Sequence, residues 1–166
     1  INLENIVSVG AAAFKDCANL ADITANGALA TIKEYAFANT ALTALSLLAI
    51  EEIQSYAFAG SKLVSIVLGS KLETVKEYTF MDCAFLNSVS FAVETVDDAV
   101  EGTLYIEDYA FLNCSSLLSI ALPLTLESVT VNAFAGALKL SAISIDDASA
   151  EFSSIDGVLY DKDQSR

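Results

Sequence analysis

The chain has 166 residues, 54% hydrophobic and 18% charged, which is enough apolar material for one domain with a sizeable core and excludes a disordered chain or a highly charged coiled coil. Its 22 acidic residues against 8 basic ones leave a net charge of −14, which disfavours nucleic acid and anionic membrane surfaces as partners and suits solubility. His and Trp are absent and the only Arg is Arg166, so His-dependent triads and His-ligated metals are excluded within the chain.

Read from its first residues onward, the chain repeats. A β-branched aliphatic precedes Phe by five positions in six places: Val9 and Phe14, Ile32 and Phe37, Ile53 and Phe58, Val75 and Phe80, Ile106 and Phe111, Val129 and Phe134. These define coils 1 to 6. Most steps are 21 to 23 residues, with one of 31 between Phe80 and Phe111. A period of that length is one coil of a solenoid, in which each unit buries its apolar face only against its neighbours.

The rest of each coil is equally regular. Three residues before the aliphatic stand Ile6, Leu29, Ile50, Leu72 and Leu126, with Thr103 as the exception. Three residues after the Phe stand Cys17, Thr40, Ser61, Cys83, Cys114 and Ala137, all small. An alternating tail follows: Leu20, Ile23, Ala25; Leu42, Leu45, Leu47; Leu63, Ile66, Leu68; Leu86, Val89, Phe91; Leu117, Ile120, Leu122; Leu140, Ile143, Ile145. Period two predicts a strand with one buried face. The segment around Ala-Phe is too short for a stable α-helix and reads as a tight turn or one short helical turn. The Phe residues would stack in a column beneath the sheet, and the aliphatic column would line the other wall.

The units "VKEYTFMDCAFLNSVSF" (75–91) and "IEDYAFLNCSSLLSIAL" (106–122) resemble the leucine-rich repeat of the BspA-like, or Treponema pallidum-type, family. The closing "FSSIDGVLYDKDQS" (152–165) is similar to a hairpin-like unit common in such arrays. The resemblance covers essentially the whole chain. The small residue is Cys in only three coils, and the family's Pro and Gly survive only as Pro123 and Gly10. The expected fold is an α/β-type leucine-rich repeat solenoid, a right-handed superhelix with one parallel β-sheet and few or very short helices opposite. Residues 1–166 would form a single domain of about six coils plus a partial seventh, part of a longer array. The chain begins at Ile1 rather than Met and enters partway through a coil, which reads as a mature or excised segment.

Candidate sites are few. The long step holds an insertion near Ala92 to Thr103 with Glu94, Asp97, Asp98 and Glu101, whose spacing suits a solvated loop and not a calcium loop. Asp161-Lys162-Asp163 reads as a polar hairpin turn. Cys83 and Cys114 share a slot in adjacent coils, close enough for a disulfide, yet small buried free thiols fit the column better. Asn113-Cys114-Ser115 matches a glycosylation acceptor of a kind common by chance. No metal or cofactor site is expected. The longest apolar run, Ala41 to Ile50, contains Thr43 and Ser46 and is far short of the roughly 20 residues of a spanning helix.

Two surfaces remain. The outward strand positions form one column of Asp22, Ala44, Ser65, Ser88, Ser119 and Ala142, and a second of Thr24, Ser46, Val67, Ser90, Ala121 and Ser144. These side chains are small and nearly neutral, without the Trp, Tyr or Arg that anchor interfaces. Tyr35, Tyr56, Tyr78 and Tyr109 lie two residues before Phe, as a structural stack or as an aromatic strip for a protein or glycan. The family resemblance implies an extracellular or cell-surface adhesion or interaction module; a spacer displaying other domains is the alternative. Paired catalytic carboxylates in adjacent slots are absent from the outward columns, so an enzyme is not expected. Ends without a polar capping face imply weak self-association.

Overall fold

The computed structural model describes residues 1–25, 27–92, 95–96, 99–100 and 102–162. In chain order the strands are β1 (Ser8–Val9), β2 (Thr31–Ile32), β3 (Ala44–Leu47), β4 (Glu52–Ile53), β5 (Ser65–Leu68), β6 (Thr74–Val75), β7 (Ser88–Phe91), β8 (Thr95–Val96), β9 (Ala99–Val100), β10 (Leu104–Ile106), β11 (Ser119–Leu122), β12 (Leu126–Val129), β13 (Ala142–Ile145), β14 (Phe152–Ile155) and β15 (Val158–Asp161). Each coil runs from a short strand through a turn segment to a longer strand. A solenoid of about six turns results.

The longer strands form the expected parallel wall. Ladders join β3, β5 and β7, and separately β11 and β13. The registers align Leu45, Ile66 and Val89 inward and place Ser46, Val67 and Ser90 side by side outward. Alternation does this: with side chains pointing to opposite faces at every step, the apolar positions of each tail must all face the core together.

The structure corrects the single-sheet expectation. The short strands form a second parallel wall, with ladders β1–β2–β4 and β6–β10–β12. Its registers put Val9, Ile32 and Ile53 in one line and Val75, Ile106 and Val129 in another. A two-residue strand shows no readable alternation, but β-branched residues suit its extended backbone. The long wall is also interrupted. Residues 22–25 lie outside the named strands, because coil 1 turns to the N-terminal residues instead: Leu3 N–H donates to Thr24 O at 2.7 Å and Thr24 N–H to Ile1 O at 2.9 Å. No ladder joins β7 to β11, where the insertion enters.

The α/β description is corrected as well, since no helix forms among the described residues. The turn segment explains this. Alternate N–H groups point in different directions. Ala36 and Ala38 donate three residues back, to Lys33 O and Tyr35 O at 3.1 Å each, whereas Phe37 and Asn39 donate to Ala57 O and Ala59 O of the next coil, at 2.8 Å each. The pattern recurs at Phe14, Phe58, Phe80 and Phe111. An α-helix would direct every N–H along its own axis; here half of them tie one coil to the next. The alternation requires left-handed residues. Positive φ occurs two residues before Phe at Ala12, Tyr35, Tyr56, Tyr78 and Tyr109, and two after it at Asp16, Asn39, Gly60, Asp82, Asn113 and Gly136.

Inside, the Phe column stacks as expected, with ring centroids 5.3, 5.6, 5.5, 5.3 and 5.3 Å apart from Phe14 to Phe134. Phe37, Phe58, Phe80 and Phe111 are 0% exposed, and only the two end members are half-buried. At the C-terminal end β14 and β15 pair antiparallel through Asp156 and Gly157, at φ 52° and 80°, the backbone of a tight two-residue hairpin turn. Of the expected turn at Asp161-Lys162-Asp163, Asp161 ends β15, Lys162 lies in a turn and its Nζ donates to Ser149 O at 2.9 Å, and Asp163 lies outside the described residues. Within the insertion β8 and β9 pair antiparallel; Glu94, Asp97, Asp98 and Glu101 lie outside the described residues.

Candidate interaction surfaces

The tyrosines do come together. Tyr35, Tyr56, Tyr78 and Tyr109 form a face-to-face ladder with centroids 4.8, 4.8 and 5.4 Å apart. Their left-handed backbone is uncommon for bulky residues and costs about 1–2 kcal/mol each. Stacking and the inter-coil hydrogen bonds offset it. Lys15 Nζ lies 4.8 Å from the centroid of Tyr35 and covers the first ring, where coil 1 has Ala12 instead of an aromatic. All four rings are half-buried, and burial together with the neighbouring phenols raises the Tyr56 hydroxyl above the ordinary tyrosine range.

This geometry narrows what the ladder can bind. Sugars stack on aromatic faces, and the faces of Tyr56 and Tyr78 are occupied by other rings. What is left outside is ring edge and hydroxyl. Beside the ladder, Glu34, Gln54, Ser55 and Lys76 line a shallow hollow. There Glu52 accepts from Lys76 Nζ at 3.0 Å and from Gln54 Nε2 at 3.2 Å, and the lysine bond holds its carboxyl below the usual carboxylate range. This ion pair joins Glu52 of β4 to Lys76, the residue after β6, and β4 and β6 share no ladder.

The sheet-face residues lie where the alternation put them. Asp22, Thr24, Ser46, Ser88, Ser90, Ser119 and Ser144 are exposed, and Ser65 and Val67 are half-buried. Ser65 pairs with Ser88 and Ser119 with Ala142 in register. Asp22 and Thr24 stand apart from β3, and a shallow groove runs between residues 23–25 and Ala44, Leu45 and Ser46. The face is flat and nearly neutral elsewhere.

A column that the sequence reading passed over lies two residues after Phe. Asp16, Asn39 and Gly60, then Asp82, Asn113 and Gly136, repeat the same three residues in successive coils. Asn39 Nδ2 donates to Asp16 Oδ1 at 2.7 Å and Asn113 Nδ2 to Asp82 Oδ1 at 2.8 Å. A Cβ on Gly60 or Gly136 would collide with the Asn39 or Asn113 side-chain oxygen. Asp, Asn and Gly are the residues that accept φ above zero most readily, which is the signal that could have found this column. The amide of Asn113 is thereby engaged within the glycosylation-like tripeptide.

All three cysteines are free, Cys17 exposed and Cys83 and Cys114 buried. Each buried thiol donates to the Phe carbonyl of the preceding coil, Cys83 to Phe58 O at 3.1 Å and Cys114 to Phe80 O at 3.2 Å. Burial pushes the Cys83 thiol up to about 12 and raises Cys114 further, so both stay protonated donors. Val131 and Leu138 of coil 6 are exposed, and an apolar cleft lies between coil 6 and the hairpin, bounded by Phe134, Leu140, Phe152 and Leu159. No group of three or more His, Cys, Asp or Glu is placed to hold a metal ion, and no helix is long and apolar enough to cross a membrane, among the described residues.

A coil with stacked Phe, small buried residues and two parallel walls defines a leucine-rich repeat solenoid. The family model of the BspA-type leucine-rich repeat region matches in six copies, over residues 1–100 and 95–160, and the chain belongs to that family. Among solved structures it is similar to a leucine-rich cell surface protein from Faecalibacterium prausnitzii, with 26% identity, a TM-score of 0.73, and coverage of 95% of this chain and 40% of that one. It also shares its fold with the pneumococcal vaccine antigen PcpA, at 18% identity and a TM-score of 0.55, over 85% of this chain and 41% of that one. A leucine-rich repeat protein from Eubacterium ventriosum shares the fold at 22% identity and a TM-score of 0.53, over 93% of this chain and 45% of that one. The chain thus spans less than half the length of each. No curated protein is a significant match.

Proposed function

We propose that the chain is a non-enzymatic interaction module of a secreted or cell-surface leucine-rich repeat protein, meeting a protein partner through the outer face of its long-strand wall. The observation that carries this reading is the in-register outward array of Ser46, Val67 and Ser90 beside Ser65 and Ser88, on a scaffold similar to a bacterial cell surface protein. A glycan partner is less suited, because the tyrosine faces are taken by stacking. With this reading go a right-handed path of the coils, as parallel β crossovers take, and a single domain across residues 1–166. Weak self-association would run through exposed apolar residues of the first and sixth coils, Ile1 and Val7 in or before coil 1 and Val131 and Leu138 in coil 6. The second reading is a spacer, favoured by outward columns that carry one charge, Asp22, and no aromatic residue.

A binding screen of the chain against extracellular matrix proteins and glycans separates them. Binding lost on Ser46→Glu with Ser90→Glu, with the circular dichroism unchanged, supports the sheet face. Loss on Tyr56→Ala with Tyr78→Ala instead moves the site to the ladder. Absence of binding across the screen favours the spacer.

A further inference from the structure

The tyrosine ladder carries chemistry that does not depend on a partner. Its rings lie nearly parallel, with interplanar angles of 13°, 8° and 8° and centroids 4.8 to 5.4 Å apart, so each phenol has another phenol as its immediate neighbour. All four are half-buried and therefore reachable by an oxidant from one side. We infer that this ladder is a site of intramolecular oxidative cross-linking, in which adjacent phenols couple to dityrosine and staple neighbouring coils.

The step balances with hydrogen peroxide as the oxidant and a haem peroxidase as the catalyst. Two phenols each give up one electron and one proton. The two phenoxyl radicals combine through a carbon–carbon bond between ring carbons ortho to the hydroxyls, and the hydrogens on those carbons return to the oxygens as the rings regain aromaticity. The peroxide takes up the two electrons and two protons and leaves as two waters.

Three features select the ladder. The ladder gives each radical a neighbouring phenol without diffusion of a second molecule. The two rings turn about their Cβ–Cγ bonds out of the face-to-face stack to bring ortho carbons edge to edge for the in-plane bond. A net charge of −14 keeps separate copies apart and disfavours coupling between chains. The two closest pairs, Tyr35–Tyr56 and Tyr56–Tyr78, have centroids 4.8 Å apart, against 5.4 Å for Tyr78–Tyr109. Tyr56 belongs to both close pairs. Coupling of Tyr56 to Tyr78 would also tie coils 3 and 4 at the level where β4 and β6 share no ladder and the Glu52–Lys76 ion pair spans the seam.

The test treats the chain with hydrogen peroxide and a haem peroxidase, then follows dityrosine fluorescence, intact mass and cross-linked peptides. The expected product is a monomer lighter by two hydrogens, linked at Tyr35–Tyr56 or Tyr56–Tyr78. Tyr56→Phe keeps a ring in the stack but removes its phenol, and should lower the dityrosine yield several-fold, whereas Tyr105→Phe, outside the ladder, should leave it unchanged. Circular dichroism of each variant confirms the fold. Links found only between chains, links confined to Tyr105 or Tyr160, or an undiminished yield in Tyr56→Phe would overturn the inference.

Discussion

The molecule contains two aromatic columns of almost the same pitch, and they serve different ends. Phe rings repeat every 5.3 to 5.6 Å and are sealed at 0% exposure in the four central coils. Tyr rings repeat every 4.8 to 5.4 Å two residues earlier, half in solvent and on left-handed backbone. The pitch is common because both columns follow the strand spacing of the walls, about 4.8 Å. Burial is not common, and it decides which column carries stability. The Phe column replaces water contact with close packing, while the Tyr column covers the turn side and leaves its edges available.

The largest effect is expected from Phe58→Ala. It empties a fully buried site between two stacked rings and should cost about 3–5 kcal/mol in urea unfolding. Phe134→Ala, at the half-buried end of the column, should cost clearly less. Equal losses would break the distinction between centre and end.

The thiols behind the Phe column come next. Cys83 rises from the ordinary 9.0 to about 12 on folding, so the folded state holds the proton more tightly. Its stabilising contribution is complete below pH 9 and is lost as pH rises from 9 toward about 12, at about 1.4 kcal/mol per unit. Denaturant midpoints measured across that window should fall, and fall less in Cys83→Ser. In the native state only Cys17 should react with a thiol reagent at neutral pH.

The smallest effect belongs to the exposed column. Tyr56→Ala removes two stacked neighbours, worth about 1 kcal/mol each, and keeps a Cβ on left-handed backbone. Tyr56→Gly loses the same ring but relieves the backbone, and should be less damaging than Ala by about 0.5–1 kcal/mol in thermal or urea unfolding. A glycine variant less stable than the alanine variant would show that the turn is not strained at that residue.

Much of this was readable in one dimension. The fixed five-residue offset from Val75 to Phe80 and the alternation of Leu45, Leu47 and Ile66, Leu68 define the coil and its inward positions, because side-chain direction follows local periodicity. The second wall was half legible: its aliphatic column was evident, but strands as short as Thr31–Ile32 carry no alternation to identify them. The Asp16, Asn39, Gly60 column had a compositional signal that was not used. The opening between Thr24 and Ala44 had none, since it depends on which neighbour coil 1 bonds to.

The sequence by itself determined the repeat, the membership in its family, the buried spine and the residues that face outward, since each follows from spacing along the chain. Only the tertiary structure decided that half of the turn N–H groups bond to the next coil, that no helix forms among the described residues, and that the faces of Tyr56 and Tyr78 are covered by neighbouring rings. Those outcomes depend on groups 21 to 31 residues apart being brought side by side, and no local pattern encodes the direction in which a backbone donor points once two coils meet.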